Sequence, residues 1–351
     1  MGTGCLSTSR VPDFPGLDAY QGATYHTGTW PHEGVDFTGL KVSVIGTGSS
    51  AIQAIPVIAS QAEHVTVFQR TANYSIPSRN GPMTDDYEAS WKSDYAQLRE
   101  EARCARNGIL TNPNDQSALE VEPETRIEVY ETRWADGGTR FMAAFNDLIT
   151  SAEANETAAE FVRGKVREIV KDPETAELLA PKSFPIGTKR ICVDTDYFET
   201  FNRPSVDLIN VRDEPIDAIT ASGVRHGGRE YNFDAIVFAT GFDAMTGTLD
   251  KIDIRGRDGR LLRNEWSGGP KTYLGMMSVG FPNLFMVTGP QSPSVLSNMI
   301  VSIEQHVDWM SECIAYMKAN GHQTIEPEAA AQDEWIAHSE EVAHKTLYPE
   351  A

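Results

Sequence analysis

A short apolar run, Lys41 to Ile45 (KVSVI), leads directly into Gly46-Thr47-Gly48-Ser49-Ser50-Ala51. A helical stretch from Ala51 to Gln61 and a second apolar run, His64 to Phe68 (HVTVF), follow. Strand, tight turn, helix and strand in that order close into one βαβ unit with parallel strands. The small residues add a function to the shape. Gly46 permits the turn, Gly48 lets backbone approach a pyrophosphate, and Ala51 lets helix and strand pack closely. The helix N-terminus then faces the anion with its free N–H groups. This is a dinucleotide-binding pattern. Pro56 lacks a backbone donor and predicts a kink in the helix.

The end of the second strand selects the dinucleotide. An NAD site carries Asp or Glu about 20 residues on, bonded to the ribose 2′-hydroxyl. Here the strand runs into Gln69-Arg70-Thr71, with no acid. A guanidinium pairs with phosphate through two parallel hydrogen bonds, so Arg70 and Thr71 suit the 2′-phosphate of NADPH. Charge placement agrees. The 351 residues carry a formal charge of −20, yet residues 41–80 hold one acid, Glu63, against Lys41, Arg70 and Arg79. A basic stretch within an acidic chain suits a bound anion, while the overall charge excludes a general nucleic-acid or anionic-membrane binder.

Beyond this unit the texture changes. From about Asp85 to Arg167, Glu, Ala, Arg and Leu dominate and β-branched runs vanish, which predicts an inserted helical segment. Strand patterns return at Arg190 to Val193 and Val206 to Val211, with a hairpin over Gly223 to Phe233 turning at Gly227-Gly228. Buried strands are predicted at Asp234 to Ala239, ending in Thr240-Gly241, and at Asn283 to Val287. A long helix is predicted to start near Pro293 or Ser294. No apolar run approaches the roughly 20 residues that cross a bilayer. The four cysteines, Cys5, Cys104, Cys192 and Cys313, have no CxxC or zinc spacing, and no secretory signal opens the chain. These features predict a cytoplasmic protein with reduced thiols and no metal site.

Upstream of the βαβ unit stands Tyr20-x-Gly22-x-x-x-His26-x-x-x-Trp30-Pro31. By composition His26 and Trp30 read as a packed aromatic pair in a linker. The pattern also resembles the fingerprint of Baeyer–Villiger flavin monooxygenases, with Tyr20 where that fingerprint usually has Phe. Trp30 separates it from related enzymes that oxygenate nitrogen or sulfur. The likeness extends over almost the whole chain and implies an α/β, two-dinucleotide-binding, Rossmann-like flavoprotein using FAD and NADPH. Such an enzyme inserts one oxygen of O2 beside the carbonyl of a small ketone, giving an ester or lactone.

The resemblance also assigns residues. Thr47 to Gln53, including Ser49, Ser50, Ala51 and Ile52, would hold the NADPH pyrophosphate. Arg70, Thr71 and Lys189 would take the 2′-phosphate. Arg190, in Pro185-Ile-Gly-Thr-Lys-Arg, matches the family's catalytic arginine; a guanidinium faces an anionic oxygenating species without giving up its proton. Thr240 and Gly241 match the ATG motif beside FAD, and Met299 matches a flavin contact. Ser294, Val295 and Leu296 match a substrate-pocket loop. His26 and Trp30 fall where the chain passes between domains, as hinge or structural parts.

The implied organisation is a connector and FAD-domain remnant (1–37), an NADP-binding domain in two parts (38–80 and 186–235), a helical insertion (81–185) and the C-terminal part of the FAD domain (236–351). Family members carry a complete FAD-binding βαβ unit ahead of a start like Met1-Gly-Thr-Gly and continue past Leu347-Tyr348-Pro349. The sequence therefore reads as a fragment cut at both ends, with impaired FAD binding and turnover. Two other readings stand beside it. A reductase passing hydride to a disulfide or quinone would show a redox CxxC, absent here, and an inactive NADPH-binding remnant would show no flavin.

Overall fold

The computed structural model describes residues 1–292 and 296–351. Along the chain run β1 (Ala23–His26), β2 (Lys41–Ile45), α1 (Ser49–Gln61), β3 (His64–Gln69), β4 (Ser75–Pro77), α2 (Asp85–Ser93), α3 (Tyr95–Cys104), α4 (Pro123–Asp136), α5 (Ala152–Ile169) and α6 (Pro173–Leu179). There follow β5 (Cys192–Asp194), α7 (Tyr197–Thr200), β6 (Val206–Asn210), β7 (Ile216–Ile219), β8 (Gly223–His226), β9 (Arg229–Asn232) and β10 (Ala235–Phe238). The remainder is helical: α8 (Gly247–Asp250), α9 (Leu262–Glu265), α10 (Met299–Ala319) and α11 (Ala329–His344). Two compact units result. A sheet unit comprises Ser9–Asn80, Asn112–Gly241 and Leu347–Ala351; a helical unit comprises Met1–Thr8, Gly81–Thr111 and Phe242–Thr346. The helical stretch after Asp85 is thus shared out, its first two helices to one unit and α4 to α6 to the other.

The sheet unit is built on five parallel strands in the order β1-β10-β2-β3-β6. Alternation along each strand divides its side chains between two faces. Val42, Val44, Val65, Val67, Ala235 and Val237 pack with Ala51, Ile52, Ile55 and Ile58 of α1. Ile45, Phe68, Ile236 and Phe238 point the other way, onto Ile219, Val224 and Phe233 of an antiparallel β7-β8-β9 sheet. Burial on both sides explains why these strands read as nearly continuous apolar runs. The β8–β9 hairpin turns at Gly227 and Gly228, both left-handed (φ 58° and 70°), the signature of a type I′ turn.

Three expectations change. Helix α1 starts at Ser49, two residues before the expected Ala51, and stays helical through Pro56. The missing donor costs about 3 kcal/mol, but burying Ile52, Ile55 and Ile58 on either side contributes roughly 1.5–3 kcal/mol each. Residues 283–287 do not form a strand. Their outward backbone partners are Met1, which bonds to Phe285 and Val287, Met276, which accepts from Met286, and Ile325, which accepts from Asn283, so no ladder extends along one neighbour. The long helix starts only at Met299, capped by Asn298, whose side chain accepts from the Ile300 N–H at 3.1 Å. Among the described residues no helix is long and apolar enough to cross a membrane.

Strand β1 is held to the sheet by the first part of the fingerprint. The Tyr20 hydroxyl donates to the Phe233 carbonyl at 2.9 Å, and burial, then the nearby Asp234 carboxylate, push that phenol up to about 12, so it stays a donor. Gly22 lies so close that a Cβ would run into the Tyr20 hydroxyl and sit 2.6 Å from the Asp234 carbonyl. We expect Gly22→Ala to destabilise the protein by about 1–3 kcal/mol through overpacking, and Tyr20→Phe by about 1 kcal/mol through the lost hydrogen bond. Urea denaturation with unchanged midpoints for both would show that β1 is not secured this way.

Candidate functional site

The glycine turn sits at the C-terminal end of β2, where β3 and β10 also end. Gly46 is left-handed (φ 109°), and a Cβ there would lie 2.5 Å from the Ala239 carbonyl. Both constraints demand glycine. Gly48 is extended, and a Cβ there would meet nothing within 4 Å, so open space lies above the start of α1. Ser49 and Ser50 are exposed in a first turn that carries no acid. The unsatisfied N–H groups and positive end of the helix dipole therefore face a space that tolerates an anion.

Other predicted binding residues divide by burial. Ala51 and Ile52 are fully buried, so only their backbone reaches the nucleotide side. Gln53 is exposed, its amide donating to the Ser49 carbonyl at 3.0 Å. Thr47 is buried and turned inward. Arg70, just past β3, is exposed and enters no ion pair among the described residues; Thr71 beside it is half-buried.

Lys189 and Arg190 come to the same part of the sheet unit through β5. This strand pairs with β4 and lies against α1, with the Cys192 thiol buried. Burial pushes that thiol up to about 11; the Ser49 hydroxyl draws it down, the Asp194 carboxylate raises it and the Arg190 charge lowers it. The two basic residues are exposed, and the Lys189 ammonium rests 4.3 Å from the centre of the Phe184 ring. β5 itself is fixed by Asp194, which accepts from Ser75 Oγ at 2.5 Å and from the Tyr197 N–H at 3.2 Å; burial raises its pKa above the usual carboxylate range. Asn73, Ser75 and Asp194 escaped the sequence reading because they act on backbone or on residues far away in the chain.

The remaining assignments fall elsewhere. Thr240 donates to the Arg10 carbonyl and Gly241 accepts from the Arg10 N–H at 3.0 Å, so this turn anchors the incoming chain. Leu296 and Met299 belong to the helical unit, Met299 as the first residue of α10, while Ser294 and Val295 lie outside the described residues. His26 is buried at the end of β1 and accepts from the Gly28 N–H at 2.9 Å; Trp30 packs on Tyr25 and Phe37, with Pro31 following.

A parallel sheet with a glycine turn at its C-terminal edge defines an α/β, Rossmann-like protein, and comparison with known proteins gives its type as a two-dinucleotide flavoprotein. No protein-family profile matches. The chain is 41% identical over 356 residues to a Baeyer–Villiger monooxygenase of Pseudooceanicola batsensis, covering 100% of this chain and 64% of that protein. It is 39% identical over 349 residues to phenazine N-monooxygenase PhzNO1 of Lysobacter antibioticus, covering 99% and 64%. The solved complex of OTEMO with FAD and NADP superposes with a TM-score of 0.97 at 38% identity, over 99% of this chain and 67% of that one. The chain belongs to the Baeyer–Villiger flavin monooxygenase family, and it spans about two thirds of the length of these relatives.

The thiols offer a check on how β5 seats against α1. With a pKa near 11, Cys192 is thiolate to only roughly one part in a thousand at pH 8. Native protein treated with iodoacetamide at pH 8 should therefore be alkylated at the exposed Cys104 and not at Cys192, as read by peptide mass spectrometry. Equal labelling would place β5 away from the helix.

Proposed function

We propose that this chain carries the NADPH-binding part and the oxygenation arginine of an NADPH- and FAD-dependent Baeyer–Villiger monooxygenase acting on a ketone and O2. The single observation that carries the reading is the convergence in one unit of an open, acid-free glycine turn, an exposed Arg70 at the adjoining strand end, and Lys189-Arg190 brought in by β5. In this reading residues 38–80 and 186–235 form the NADPH domain. The four free cysteines fit a reducing, cytoplasmic setting.

The residues present fit NADPH. The N–H groups at Gly48 to Ser50 would take the pyrophosphate; Arg70, Thr71 and Lys189 would take the 2′-phosphate, Arg70 by a two-point pairing. Among the described residues the strand–glycine turn–helix occurs once, and we assign it to the pyrophosphate of NADPH. In this reading Thr240 and Gly241 would serve the flavin. When bound, NADPH supplies hydride and FAD activates oxygen. Arg190 would contribute a fixed positive charge that stabilises negative charge on the carbonyl oxygen without donating a proton.

A second reading, oxygen transfer to a ring nitrogen, draws on the 39% identity to the phenazine N-monooxygenase. Trp30, on which the fingerprint relies to separate these chemistries, packs between Tyr25 and Phe37 in the core.

The purified chain should bind NADP+ in preference to NAD+ by fluorescence titration. Arg70→Ala should weaken NADP+ roughly 10- to 100-fold, the worth of a charge-assisted hydrogen bond, and leave NAD+ nearly unchanged. Equal affinity for the two nucleotides in the wild-type chain would refute the NADPH assignment. In a full-length enzyme Arg190→Ala should abolish ester formation; normal ester yield would remove Arg190 from the reaction.

A further inference from the structure

Two hydrogen bonds tie the pyrophosphate turn to the 2′-phosphate segment. Thr47 Oγ1 donates to the Thr71 carbonyl at 2.8 Å, and Asn73 Nδ2 donates to the Thr47 carbonyl at 2.8 Å. Each segment gives one donor and accepts one. Thr47 is buried, so its hydroxyl serves this clip and not the open space above Gly48. The backbone of Thr71 is held at the point where Arg70 and Thr71 leave β3, and the backbone of Thr47 is held inside the glycine turn.

We infer that Asn73, acting with the Thr47 hydroxyl, is a positioning residue that sets the separation between the pyrophosphate and 2′-phosphate seats. This rests on the NADPH reading above. A nucleotide carrying both groups binds at two points, and its second contact forms at an effective concentration fixed by how well the spacing of the seats matches the ligand. Loosening the clip leaves each seat intact and blurs the distance between them. Only a ligand that spans both seats registers the change. The clip thus makes NADPH selectivity depend on an amide that need not touch any phosphate.

The test uses this chain with three ligands: NADP+, which spans both seats; NAD+, which has the pyrophosphate alone; and adenosine 2′-monophosphate, which has the 2′-phosphate alone. Asn73→Ala and Thr47→Val should each weaken NADP+ about 10-fold, as loss of one buried hydrogen bond allows, and weaken the two single-seat ligands less than about 3-fold. Thr47→Ser, which keeps the hydroxyl, should restore NADP+ binding. Equal weakening of all three ligands, or unchanged NADP+ binding, would overturn the inference while leaving the NADPH reading in place. A wild-type chain that does not distinguish NADP+ from NAD+ overturns the reading itself and the inference with it. If thermal melts show Asn73→Ala to be unfolded, the Thr47→Val and Thr47→Ser pair decides alone, since Thr47→Val keeps the shape without the donor and Thr47→Ser keeps the donor at the loss of one methyl group.

Discussion

The close approach of Gly46 to the Ala239 carbonyl organises the sheet unit. Because no side chain intervenes, β2 ends against the end of β10, and the turn that follows can aim α1 at open space instead of burying its first residues. Parallel strands all finish on the same edge, so Gly46, Arg70 and Thr240 arrive there together without any loop having to reach across the sheet. A binding edge is thus a by-product of parallel topology, and the residues lining it are free to be polar because the apolar work is done below them.

That division is paid for by two-sided burial. α1 and its neighbours cover one face, and the three-stranded β7-β8-β9 sheet covers the other, so the central strands contribute nothing to solvent except their ends. Short loops leaving such strands start from rigid ground. Asp194 extends the same rigidity to β5: a buried carboxylate held by Ser75 and the Tyr197 N–H fixes the two-strand ladder from which Lys189 and Arg190 emerge. Desolvation disfavours its charge, and two hydrogen bonds repair part of that cost.

How much of this was legible depended on the range of the interaction. The βαβ unit, the hairpin at Gly227-Gly228 and the run ending in Thr240-Gly241 follow from local pattern, since period-two alternation and glycine placement act within a few residues. Residues 283–287 carry the same apolar pattern and form no strand, because a strand is completed by its neighbour and backbone pairing there is confined to single residues. Pattern also placed the start of α10 too early; a single Asn298 side chain decides it. The exposed place of Arg70 just past β3 follows from local pattern, whereas the Asn73 contact does not, because its partner is a carbonyl 26 residues earlier. Sequence shows which residues carry charge, and less readily which ones hold those residues at a fixed distance.

The fingerprint illustrates the same point. Its residues divide into those that secure an edge strand and those that fill the space beneath it: Tyr20 and Gly22 fit each other and the β9–β10 connection, His26 closes the strand end, and Trp30 packs with Tyr25 and Phe37. A motif made of packing residues identifies a scaffold, not a chemistry. That is consistent with a relative acting on phenazine nitrogen at nearly the same identity as one bearing the Baeyer–Villiger name. Family membership is accordingly written in the packing around β1, and the two relatives' names show that it leaves the oxidised atom open.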